Sequence, residues 1–362
     1  MVELRDVAMT PLAAGNSKTR MAMAADPPSA LLGHHRYGRT ESVVKIQPLV
    51  RAETDFQIVD EPIIYGGLLF RHFGHAISES IHRLWPRFAV PELAGAKFAF
   101  FPINHTKVMP YVIEALNLHG ISGRQVLRVE QPTLFRRLFV GPQARQMAGP
   151  TIIPGYQQML DGSLDRRAGP AGGGRRIYVS RMHHHHTGSF YGESFIEAAL
   201  EEEGFEIIYP ERFSLTELIK ILRSSSIAVF AEGSAIHALE LCGSAVPAVF
   251  VIGRRSDSIS RFTPLLSNIC RKWTVSDRLL LNAGMSTDRK KHSGLIDLVA
   301  VFEDLQSFAE LTTPGNIRAS ALAAIRTDLE RHIGDPRNDT NADDRAGSLR
   351  RVVETAISTL SH

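Results

Sequence analysis

The residues best able to do chemistry fall in three short stretches. In GHAISESIHRLW, Gly74 to Trp85, a helix turning about 100° per residue gathers Ile77, Ile81 and Leu84 on one side. His75, Glu79, His82 and Arg83 fall on the other. His75 and Glu79 are four apart, so the carboxylate can reach the imidazole, fix its tautomer and support it as a general base. A solvated helix face with an incidental ion pair has the same pattern. His72 joins the group only if the helix starts early, and Gly74 stands in the way. The second stretch is the turn Glu232-Gly233-Ser234-Ala235, which follows the apolar IAVFA. Gly233 lets the backbone approach a ligand, and Ser234 can cap the next helix, whose free amides favour a phosphate. An ordinary capped strand-to-helix turn would look alike. Glu232 would repel phosphate and suits a ribose or sugar hydroxyl better. Arg181 ends the strand-like RRIYVSR and is placed for the same crevice, where a guanidinium fork matches a diphosphate. His237, one turn into the helix after Gly233, is a further candidate for sugar or phosphate contact.

The third stretch is the run His183 to His186. Consecutive side chains point in different directions and cannot wrap a tetrahedral ion, and no HExxH or acidic cluster accompanies them. No metal is expected, and the run is read as a loop beside the ligand crevice.

The elements that must position these residues follow from the apolar pattern. VVKIQPLV and KFAFFPI are strand candidates, SESIHRLWPRF a helix, and PYVIEALNLHG a helix closed by Gly120. After a Gly/Pro-rich stretch the pattern becomes regular. RRIYVS, FEIIYP, IAVFA and VPAVFVIG are strands, and SFIEAALEEEG, SLTELIKILRSS and IHALELCG are helices between them. Ser214 and Glu217 form a capping box, with Phe213 placed to staple against Leu218. Such alternation with short connections predicts a parallel, doubly wound α/β sheet. The expected organisation is a mobile arm at 1–30, an N-terminal domain at 31–165 and a linker at 166–174. A Rossmann-like domain at 175–290 and C-terminal helices with a polar tail at 291–362 complete it.

Composition narrows the function classes. The 362 residues are 44% hydrophobic and 22% charged, with 41 Lys+Arg against 38 Asp+Glu, which excludes wholesale disorder and collagen-like or coiled-coil chains. No basic block interleaved with aromatics marks a nucleic-acid groove, and no apolar run is long enough to span a bilayer. Cys242 and Cys270 cannot build a disulfide framework. A soluble protein of a reducing compartment is expected. The helix LRRVVETAISTL is a weak candidate for peripheral membrane contact and could equally dock on the core.

In order and spacing, RRIYVSR, Glu193, GFEIIYPERFSLTELIKIL and AEGSAIHALEL together resemble glycosyltransferase family 61, and FGHAISESIHRLWP is similar to its N-terminal GHxxxE…R element. The resemblance spans residues 70 to 270 and is strongest from 176 to 245. It implies a GT-B-like α/β architecture, two Rossmann-like domains facing across a cleft, and inverting transfer from a nucleotide sugar without an essential metal or other cofactor. Carried over by position, His75 and Glu79 are catalytic. Arg181, Glu193, Glu232, Gly233, Ser234 and His237 hold the donor, and His82 and Arg83 are candidates for the acceptor side. The family often has His where Glu232 stands, Asn where Ala238 stands and Asn-Glu at Gly192-Glu193. The acceptor implied is a glycan or lipid-linked glycan of a surface polysaccharide, handled in the cytoplasm or at the inner membrane face. Two other readings compete: a non-catalytic nucleotide-sugar binding protein, and a metal-dependent hydrolase using the histidine run.

Overall fold

The computed structural model describes all residues except 14–20, 37, 52–54, 104–106, 148, 170, 289–290, 312–316, 338–342 and 361–362. Parts of the expected arm, linker and polar tail therefore lie outside the described residues. The chain is mixed α/β and divides into two compact units. The first is Met1–Pro170 with Ser214–Lys220 and His237–Ser244. The second is Ala171–Phe213 with Ile221–Ile236 and Ala245–His362.

Among the described residues the first unit holds an eight-stranded mixed sheet. Its strands are β1 (Val2–Met9), β2 (Met21–Asp26), β3 (Val44–Pro48), β4 (Gln57–Val59), β5 (Ile63–Leu69), β6 (Lys97–Pro102), β7 (Val126–Arg128) and β8 (Thr133–Val140). The order is β3-β2-β1-β8-β5-β6-β7, with β4 also paired to β8. The arm expected at 1–30 is corrected here: β1 runs antiparallel along β8 from Val2↔Val140 to Met9↔Thr133, and β2 continues the sheet. Val7, Ala8 and Met9 are wholly buried there. The β8-β5-β6-β7 part is parallel, whereas β1 reverses direction, so this sheet differs from the Rossmann-like expectation. β5 is buried along its whole length. Its pairing with β6 slips between Tyr65 and Gly67, a bulge of the kind that redirects a strand end. Gly66 is needed because a Cβ there would lie 2.8 Å from the Phe100 ring, and Gly67 has φ +81°.

Among the described residues the second unit is built on a five-stranded, wholly parallel sheet. It comprises β9 (Arg175–Val179), β10 (Glu206–Ile208), β11 (Ser225–Ala231), β12 (Ala248–Ile252) and β13 (Trp273–Ser276), ordered β10-β9-β11-β12-β13. Numbered from the first strand of this sheet the order is 2-1-3-4-5, one of the common doubly wound arrangements. Helix Glu193–Glu202 of this unit, and helix Leu215–Arg223, whose residues up to Lys220 group with the first unit, fall where the periodicity predicts them. The capping box is made: Ser214 N–H donates to Glu217 Oε2 at 2.8 Å, and Glu217 N–H to Ser214 Oγ at 3.2 Å.

A hairpin of β14 (Leu279–Ala283) and β15 (Ser293–Ile296) and the helices Leu298–Ala309, Ile317–Ile333 and Asp343–Leu360 complete the unit. The last helix turns Ala346, Leu349, Val353 and Ile357 into the core with Phe302 and Ile325. Arg350 pairs with Glu330 at 2.6 Å, and Arg326 with Glu354 at 2.8 Å. Membrane contact through this helix is thereby corrected, because its apolar face is already covered by the core. Among the described residues no helix is long and apolar enough to cross a membrane.

Candidate active site

The regular helix expected from Gly74 to Trp85 is instead a succession of three pitches. They are an α turn at Phe73–His75, a π-type stretch at Ala76–Ser80 and a 3₁₀ turn at Ile81–Arg83. Ser78 Oγ donates back to the Gly74 carbonyl at 2.7 Å, and Ser80 Oγ to the Leu68 carbonyl at 2.8 Å, competing locally with a uniform ladder. A constant angular step therefore fails here, and the polar set divides. Nor is it a surface: Glu79 and His82 are 0% exposed and Arg83 is 2% exposed.

Glu79 is the centre of the first cluster. His75 Nδ1 lies 2.5 Å from its Oε1, and His34 Nε2 lies 2.7 Å from its Oε2. Arg36 donates to both oxygens, at 2.7 and 2.9 Å. Burial pushes the carboxyl up, but the bonds from His34, His75 and Arg36 outweigh it and hold Glu79 well below the usual carboxylate range. Burial also pushes His34 down, so its imidazole stays neutral. His75 is the reachable member, its side chain 32% exposed and stacked on Phe70 at 5.5 Å. With a proton on Nδ1 shared to Glu79, Nε2 is left as a proton acceptor.

His82 joins a second cluster, around Glu240. Its Nε2 is 2.8 Å from Glu240 Oε2, and His237 Nδ1 is 2.8 Å from Oε1. Arg145 lies 3.5 Å from the same carboxylate. Burial pushes His82 down and keeps it neutral. His237 thus groups with the first unit and hydrogen-bonds a carboxylate. Arg83 is taken up by the protein itself: Nη1 donates to the Gly141 carbonyl at 2.6 Å, Nη2 to the Gly33 carbonyl, and the guanidinium lies 4.9 Å from the Tyr65 ring centroid. It ties the strand ends together. Both residues expected on the acceptor side are thus buried and engaged with protein groups.

In the second unit, Arg181 follows β9 and the Glu232–Ser234 turn follows β11. These are the first and third strands of the 2-1-3-4-5 sheet, so both stand at the carboxyl-end switch point where such sheets take ligands. Arg181 lies against the turn, since a Cβ on Gly233 would be 2.5 Å from its Nη1. Its Nη2 donates to the Gly188 carbonyl at 3.0 Å. Gly188 has φ +86°, and a Cβ there would lie 2.7 Å from Arg254 Nη1. Ser234 opens the 3₁₀ stretch Ser234–Leu241.

Two residues expected to contact the ligand are enclosed by the protein's own donors. Glu193 is fully buried and accepts from Tyr178 Oη at 3.0 Å, Ser180 Oγ at 3.1 Å, the Arg181 amide at 2.6 Å and Ser189 Oγ. Burial pushes its carboxyl up. It positions the Arg181 backbone and has no oxygen to spare for a donor. Glu232 is equally enclosed: its carboxylate accepts from the Arg254 amide at 2.9 Å and from Ser258 Oγ, and its main-chain carbonyl accepts from Arg254 Nε at 3.1 Å. It braces the turn from behind, which removes the conflict between a carboxylate and a phosphate.

Arg254 and Arg255 were missed by sequence reasoning. Burial, then repulsion from Arg181 and Arg255, pushes Arg254 down to about 9. Arg255 Nη1 lies 3.5 Å from Glu232 Oε1. Their signal was available, since they follow VPAVFVIG, the next strand with a carboxyl end at the same edge. His34 and Arg36 sit in an aperiodic loop and carried no such signal. The histidine run forms a short turn, Met182–Thr187, kinked at His184. His183 and His184 both turn to Glu211, at 2.6 and 3.3 Å. Among the described residues no group of three or more His, Cys, Asp or Glu could hold a metal ion.

The sequence profile of a family described as Glycosyltransferase 61 matches residues 73–244, from the His75–Glu79 pair to the end of the helical stretch after Gly233. Residues 73–244 are thus similar to glycosyltransferase family 61. No curated protein matches the chain. That family is one of glycosyltransferases, enzymes that take a sugar donor and an acceptor. The family 61 stretch contains Arg181 and Gly233, whereas Arg36, Arg254 and Arg255 come from outside it.

Proposed function

We propose that the chain is an inverting glycosyltransferase that uses a nucleoside-diphosphate sugar and no metal. The observation that carries this reading is the lie of Arg181 across Gly233 at the switch point of the parallel sheet, with Arg254 and Arg255 adding charge nearby. Three guanidinium groups beside a strand-end turn suit a diphosphate and can meet the charge of the leaving group, the part a metal plays elsewhere.

In the first unit, His75 is the base, oriented by Glu79. Its Nε2 takes the proton of the acceptor hydroxyl as that oxygen bonds to the anomeric carbon. The bond from that carbon to the diphosphate breaks on the opposite face, and the electron pair leaves with the diphosphate. Arg36 neutralises Glu79, so the imidazole need not carry a proton to satisfy the carboxylate. In this reading the acceptor is a surface glycan or its lipid-linked precursor, and the work is cytoplasmic, as buried Cys242 and Cys270 suit.

Thermal-shift titration with UDP, GDP, CMP and their sugar conjugates, with and without EDTA, tests the donor side. A selective, EDTA-resistant shift is expected. His75→Ala should abolish transfer while leaving donor affinity nearly unchanged, and joint loss of both would contradict the assignment. Binding of a nucleotide sugar with no transfer to any acceptor tried, and indifference to His75→Ala, would favour a non-catalytic binding protein.

A further inference from the structure

The histidine run, which the proposed chemistry leaves aside, is organised around one carboxylate at a defined place in the sheet. Glu211 lies in the 3₁₀ turn Pro210–Arg212 that follows β10, the second strand of the 2-1-3-4-5 order. His183 Nδ1 holds its Oε1 at 2.6 Å, and His184 Nε2 lies 3.3 Å from Oε2. The neighbouring Tyr209 ring stacks on His183, with centroids 4.2 Å apart and 18° between the planes. The Arg212 guanidinium lies 4.6 Å from the Tyr209 centroid. This side-chain frame fixes the carboxylate, yet Glu211 keeps 33% of its side chain exposed, His183 39% and His184 37%.

We propose that Glu211, held by His183 and His184, accepts the ribose hydroxyls of the donor nucleotide; this rests on reading Arg181 and Gly233 as the diphosphate site. The phosphate crevice lies between the first and third strands, and β10 flanks the first strand on its far side. Adjacent strands are about 4.8 Å apart, so the carboxylate stands one strand beyond Arg181, on the path of a nucleoside leaving the crevice. A carboxylate at the end of the second strand is how doubly wound sheets engage a ribose. It is acceptor-only and has two oxygens for a vicinal diol. The hydrogen bond from His183 and the contact with His184 leave the carboxylate fixed in place but still partly open to a ligand.

The test is calorimetric titration of the full chain with UDP, GDP and CDP, with the 2′,3′-dideoxy analogue of the tightest binder, and with inorganic pyrophosphate. Removing a hydrogen bond to a charged group should weaken the ribonucleotide about tenfold or more in Glu211→Gln and leave pyrophosphate affinity unchanged. The dideoxy analogue should show the same loss on the unaltered protein and no further loss on Glu211→Gln. Equal affinity of the ribonucleotide and its dideoxy analogue for the unaltered protein, a comparison that needs no variant, would overturn the ribose assignment. If Arg181→Ala still weakened both ligands, the diphosphate reading would survive. Failure of every nucleotide to bind the unaltered protein would overturn both.

Discussion

A Cβ on Gly233 would stand 2.5 Å from Nη1 and 2.8 Å from Cδ of Arg181, so the arginine lies where any other residue's side chain would begin. The obstructed atoms belong to a flexible side chain rather than to backbone. Gly233→Ala should therefore fold, with Tm changed by no more than about 2–4 °C, while Arg181 is pushed off the turn. UDP or GDP affinity should fall about tenfold, measured by titration calorimetry. Unchanged affinity would mean that Arg181 does not hold the donor where it now lies.

Glu193→Gln addresses the support beneath that arginine. The carboxylate accepts four hydrogen bonds, one of them from the Arg181 amide, and a glutamine would turn an NH₂ toward some of those donors. Stability should fall by about 2–3 kcal/mol in urea unfolding, and donor affinity should fall with it through the Arg181 backbone that Glu193 holds. Glu193→Asp, which keeps the charge and shortens the reach, should recover part of both.

Glu79 and Glu240 make acid stability a test of the first unit. For both, burial raises the carboxyl, but hydrogen bonds from His34, His75 and Arg36 to Glu79, and from His237 and His82 to Glu240, hold it below the ordinary 4.5. A carboxyl depressed on folding adds stability that is complete above its unfolded value and is lost as pH falls through the folded one. Tm should therefore drop from about pH 5 toward about pH 3, and the drop should be shallower in Glu79→Gln. At neutral pH the same variant should lose about 3–5 kcal/mol, because Arg36 and two imidazoles are left around an uncharged group. Equal slopes in the two proteins would show that Glu79 is not held anionic.

Ser214→Ala removes half of a capping box at an exposed helix start. It should cost about 0.5–2 kcal/mol in chemical denaturation and leave kcat/KM for glycosyl transfer unaltered, which separates a stability effect from the site changes above.

Four strands of the second unit's parallel sheet were legible because each is a short apolar run closed by its own helix and turn; the fifth, β13 (Trp273–Ser276, WTVS), is short and half polar and carried no such signal. The first unit hid its beginning: Val2 pairs with Val140, and no local pattern announces a partner so distant, least of all for the alanine-rich Met21–Asp26. At the site, residue types were easier to read than surroundings. His75 and Glu79 meet as their spacing suggests. His82 leaves them because the helix changes pitch, and Glu193 and Glu232 carry the chemistry of ligand contacts but spend it on neighbouring donors. Such enclosure is a property of packing in three dimensions, invisible to spacing along the chain.

The bonds at Glu79 also bear on modularity. Its two strongest restraints outside its own helix, His34 and Arg36, precede residue 73, and β1, which lines β8 over its whole length, precedes it too. At the other end, β12 and β13 follow residue 244. The stretch that carries the family signature is thus not a transplantable piece. Grafted alone, it would bring a buried carboxylate without its arginine, a first sheet without β1 to β5 and a second without β12 and β13.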